Sequence, residues 1–76
     1  MSYGYSARLI ALNKEADSKL LGVKLGRICI KQDIPVSTVA ARLGVSRQTI
    51  YNWFMGETDL QDQSVGAVQD LIKSFS

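Results

Sequence analysis

Apolar positions along this chain return at intervals of three and four rather than alternating, a spacing that predicts helices and no strands. The segment "ARLIALN" fits a short helix. A longer one follows, capped by Asp17 or Ser18 and running to about Gln32, because Leu21, Leu25, Ile28 and Cys29 then share one face. Gly22, Val23, Gly26 and Ile30 lie on a further side, where small residues permit close approach, and Leu9, Ile10 and Leu12 are the expected partners. Asp33, Ile34 and Pro35 end this helix, since proline disfavours a helical residue before it but suits a helix start. A second core helix over Val36 to Leu43 buries Val36, Val39, Ala40 and Leu43, and Gly44 terminates it. Ser46 can cap the next helix and Gly56 closes it. Beyond "ETD", the spacing of Val65, Val68, Ile72 and Phe75 gives a last helix, as core or as a dimer seam. The expected fold is all-α, a compact four- to five-helix domain containing a helix-turn-helix, with "MSYGYS" fraying at its front.

Length and composition narrow this further. Seventy-six residues are one domain, close to the lower limit for a self-sufficient core. No apolar run reaches the roughly 18 residues of a membrane span, and the start lacks the pattern of a secretion signal. A lone Cys29 cannot form an internal disulfide, so a cytoplasmic location is expected. Charge is uneven. Residues 1–33 carry six basic and three acidic side chains, residues 34–56 carry Arg42 and Arg47 with no acid, and residues 57–76 carry four acids against Lys73. An electropositive front and middle suit a polyanion bound on one side, although an acid-free stretch of this length also arises by chance.

The acid-free stretch contains the best-patterned segment, "LGVSRQTIYNWF". Two helices joined by three residues cross steeply, as in a helix-turn-helix. That crossing needs a small residue at the contact (Ala40), a glycine at the corner (Gly44) and apolar anchors on each side (Val39, Ile50, Trp53), and every position is suitably filled. Residues 36–56, "VSTVAARLGVSRQTIYNWFMG", preceded by "KLGRICIKQDIP", resemble the lambda-repressor/Cro-like helix-turn-helix family, while "GVSRQTIYNW" is also similar to the recognition segment of some recombinases and excisionases. The resemblance implies that the second motif helix enters the DNA major groove.

The residue types agree with that role. At ~100° per residue, Ile50, Trp53 and Phe54 cluster on one face of the 47–55 helix, with Gln48 and Asn52 opposite, flanked by Tyr51 and Met55, and with Arg47 and Thr49 on the borders. Amides donate and accept together, as the major-groove edge of adenine requires, and arginine pairs with guanine. Arg47, Gln48, Thr49, Tyr51 and Asn52 are therefore the candidate base readers. Arg47 also opposes the helix dipole at a cost of ~0.3–1 kcal/mol, which favours contact over mere solvation. Ser37, Thr38, Arg42 and Ser46, with the edge stripe Lys24, Arg27 and Lys31, are candidates for the DNA backbone or simply a solvated face.

Histidine is absent, and there is no cysteine pair, phosphate-cradling glycine loop or acidic cluster at metal-ligand spacing. No enzymatic activity, cofactor or metal is expected. The partner expected is double-stranded DNA bound by a homodimer, since one recognition helix reads about half a site. The readings are a small repressor or Cro-like regulator of phage type, a targeting module of a recombinase or transposase, and a protein-interaction domain on the same fold. Met55 on the outer face keeps the last one open.

Overall fold

Helix boundaries follow from local capping chemistry. The computed structural model describes residues 5–75, which fold into α1 (Ala7–Glu15), α2 (Leu21–Gln32), α3 (Val36–Leu43), α4 (Arg47–Met55) and α5 (Asp62–Phe75), with no strand among the described residues. Ser6 caps α1 by accepting the Leu9 N–H at 3.1 Å. Asp17 does not cap α2. Its carboxylate accepts the Lys19 N–H at 2.9 Å in a separate turn, and α2 begins at Leu21 behind Leu20, which offers no side-chain cap. Asp33 ends α2 in the left-handed conformation, φ 58°, and Pro35 opens α3.

Gly44 at φ 67° turns the chain out of α3, and its N–H bonds the Ala40 carbonyl. Ser46 then caps α4 through the Thr49 N–H at 3.2 Å. The helix-turn-helix therefore stands where the spacing predicts, with Gly44 to Ser46 as its turn.

α2 is the central strut. It packs against α4 on one side and α5 on another, while α1 lies against both α2 and α4. Leu25 and Cys29 from α2 cluster with Val39, Ile50 and Phe54, all fully buried, and Val23 is fully buried beside Gly56. The two α2 glycines sit where the expected close approach occurs, but α4 is the neighbour at Gly22, α4 and Asn13 of α1 share Gly26, and Ile10 of α1 lies beside Ile30. A Cβ on Gly22 lies 2.7 Å from Trp53 Cβ, and one on Gly26 lies 2.7 Å from Asn13 Nδ2 and 2.8 Å from Phe54 Cγ.

From α5, Val68 and Leu71 close the core; Val65, Ile72 and Phe75 are half-buried. Tyr5 and Ser6, at the end of the stretch expected to fray, are held in place. Tyr5 is buried against Phe54, ring centroids 6.2 Å apart, and its hydroxyl donates to the Ile34 carbonyl at the α2–α3 corner. Burial raises the Tyr5 hydroxyl well above the ordinary phenol range. The remainder of "MSYGYS", residues 1–4, lies outside the described residues. No described helix is long and apolar enough to cross a membrane.

Candidate nucleic-acid interface

The inner side of α4 is held by three large side chains. Ile50 and Phe54 are completely buried and Trp53 nearly so, each worth about 1.5–3 kcal/mol of transfer free energy or more. This fixes the rotation of α4 about its axis and so decides what faces outward. Gln48 is exposed and Asn52 half-buried, and the Gln48 Nε2 donates to Asn52 Oδ1 at 3.0 Å. The two amides thus form a pre-arranged pair one helical turn apart, with the Gln48 oxygen and the Asn52 nitrogen left to meet a further partner.

The other predicted readers divide. Arg47 is exposed and shares a recess with Tyr51 and with Pro35, Val36 and Ser37 at the start of α3. Arginine, phenol hydroxyl, serine hydroxyl and the free N–H groups of the α3 start are therefore neighbours, a donor set suited to phosphate. Thr49 is committed to the cap, its hydroxyl 2.9 Å from Ser46 Oγ. Thr49 and Ser46 thus hold the start of α4 in place.

On α3, Ser37 joins the recess, but Thr38 and Arg42 project elsewhere. Arg42 is five residues on from Ser37 and so about 140° around the helix. The basic stripe on α2 is also separated from α4. Arg27 and Lys31 border the furrow between α1 and α2, along with Ile10 and Lys14, and Lys24 lies on the same exposed edge of α2. Arg27 has a structural task as well: its guanidinium donates to the carbonyls of Lys14 (3.2 Å) and Ala16 (3.3 Å), which α1 leaves unsatisfied at its end.

Two features were not legible in the spacing. α1 runs along α4 so that Ser6, Arg8, Leu9 and Leu12 form one wall of a shallow groove, with Gln48, Tyr51 and Met55 opposite and Glu57 at its end. On the other flank, Asp59 and Gln61 approach Asn52 and Thr49. The acid-free segment is thus not an acid-free surface. The Glu57 carboxylate stands beyond the C-terminal end of α4 and Asp59 lies on the flank of Thr49 and Asn52, while Arg47 and the α3 start share a recess at the N-terminal end.

A helix clamped by its apolar inner side and preceded by a three-residue turn is the arrangement shared by helix-turn-helix proteins. A family model described as a homeodomain-like domain matches residues 8–60, well over half of the chain. The chain belongs to the homeodomain-like helix-turn-helix family. The match takes in α1 to α4 and stops before α5. As a homeodomain-like domain, the protein is a member of a DNA-binding class. No curated protein and no solved structure matches it.

Proposed function

We propose that this homeodomain-like domain is a sequence-specific regulator of transcription, acting on double-stranded DNA in the cytoplasm as a small repressor of the Cro-like kind that residues 36–56 resemble. α4 lies in the major groove. Gln48 and Asn52 read base edges there, Arg47 reads at the rim, and Tyr51 with Ser37 holds the adjacent phosphate. The protein works by binding, with no catalytic step, no cofactor and no metal, and two copies combine to cover a full site.

The observation that carries this reading is the amide pair of exposed Gln48 and half-buried Asn52, directly opposite the buried Ile50, Trp53 and Phe54. Specificity can be tested by replacing Gln48 or Asn52 with Ala and titrating both a selected site and random duplex. We expect a loss of about 1–3 kcal/mol on the selected site, little loss on random DNA, and relaxed preference at one base pair. Equal losses on both duplexes reject base reading.

A second reading, a DNA-targeting module of a recombinase, excisionase or transposase, is favoured by the match to a homeodomain-like model rather than to a repressor one. It assigns α4 the same role and differs in the symmetry of the site recognised.

A further inference from the structure

We propose that Arg8 of α1 is a DNA-backbone contact and that the groove between α1 and α4 seats one strand of the duplex, an inference that rests on α4 lying in the major groove. An α-helix with its side chains is about 10–12 Å across and the major groove about 12 Å wide. A recognition helix therefore nearly fills the groove, and whatever flanks it stands over the phosphate walls. The flanking element here is α1, which packs against α4. Leu9 and Leu12 turn toward the groove shared with Gln48 and Tyr51, and Arg8 lines the same groove while remaining exposed. At ~100° per residue Arg8 is about 40° from Leu12 and about 100° from the buried Leu9, which sets it on the outer rim of α1. No hydrogen bond or ion pair to another described residue restrains it.

Continuity and charge argue for DNA as the occupant. Gln48 and Tyr51 belong both to this groove and to the outer side of α4, so a duplex engaged by one reaches the other. The groove is also polarised, with Ser6 and Arg8 from the start of α1 and Glu57 from just beyond α4. A phosphate is drawn toward Arg8 and repelled by Glu57, which limits the seat to the Arg8 end. A guanidinium that touches phosphate releases about one counterion's share of the salt dependence, a slope near −0.9 in log K against log salt.

The full chain is titrated with a mixed-sequence duplex and with a selected site over a range of salt. Arg8→Ala should weaken both by roughly tenfold at about 0.1 M salt and make the slope shallower by about 0.9. Arg8→Lys should restore the slope, and Glu57→Gln should tighten binding to both duplexes. Thermal melting accompanies each variant, and Arg8→Gln, which keeps the stem, replaces the alanine variant if that one melts early. An unchanged slope in Arg8→Ala or Arg8→Gln, with Gln48→Ala still losing the selected site, overturns this contact and leaves the base-reading helix intact. Absence of any DNA binding by the unaltered chain overturns both.

Discussion

Asn13 is the buried polar side chain of the described core, and its two bonds explain why it is there. Its Nδ2 donates to the Phe54 carbonyl at 2.6 Å and to the Val23 carbonyl at 3.2 Å. The Phe54 carbonyl belongs to the last turn of α4, where Gly56 has already turned the chain away, so Asn13 supplies a donor that the helix cannot. Asn13→Ala should therefore cost about 2 kcal/mol, measured by denaturant unfolding, through the buried Phe54 carbonyl left unsatisfied. Asn13→Asp should cost more at neutral pH, because a carboxylate accepts and cannot donate to those oxygens. Cys29 gives a complementary test. Burial pushes its thiol up to about 12, so it stays protonated and shielded, and a thiol reagent at pH near 8 should label it only after unfolding. Prompt labelling of the native protein counts against this packing. Residues of this kind divide what the sequence reveals from what it hides. Ile50, Trp53 and Phe54 announce their burial through helical spacing. Asn13 reads as an ordinary polar position in α1, and Arg27 as one cation of a stripe, because their partners are backbone carbonyls distant in sequence.

Among the elements, α2 and α5 carry glycines with opposite consequences. Gly22 and Gly26 let α4 approach until a Cβ meets Trp53 or Phe54 below 3.0 Å, and at Gly22 the Trp53 backbone itself stands at 3.1 Å, so little can yield. Gly66, on the exposed side of α5, has nothing within 4 Å of such a Cβ. Gly22→Ala should lower stability by about 1–3 kcal/mol through overpacking, whereas Gly66→Ala should raise it by about 0.5–1 kcal/mol through helix propensity. Thermal melting of the two variants should move in opposite directions, and a shared direction contradicts the packing of α2 on α4. The helices themselves were legible because Ser46, Gly44, Pro35 and Gly56 act locally. The start of α2 was not, since Asp17 offers equally good chemistry to a turn and to a cap. Nor was the neighbour of its glycines, because spacing shows that a face is small without naming what fills it.

For the molecule as a whole, geometry and charge together define how it meets DNA. The domain measures about 31 × 23 × 22 Å and has one helix-turn-helix, a motif that reads about half of a typical site. Sequence charge placed the basic surface along α2, α3 and α4. Folding instead sets α1 between the α2 stripe and α4, brings Glu57 beyond the end of α4 and places Asp59 on the flank of Thr49 and Asn52. The electropositive end is the one shared by Arg47, Ser37 and the α3 start, so the duplex should be engaged by the first turns of α4, with the last turn held clear by the Glu57 carboxylate. Sites selected from random DNA are the strongest measure of this arrangement. A pair of regulators related by a two-fold axis requires inverted half-sites whose centres lie roughly 34 Å apart, one helical turn along the same face of the duplex. That symmetric consensus is the expected outcome, and its half-site should be short, since the first two turns of α4 span only a few base pairs. A single asymmetric half-site shifts the assignment to a targeting module that borrows its remaining specificity from elsewhere. No enrichment at all leaves the outer face of α4, Met55 included, as a surface for protein rather than DNA.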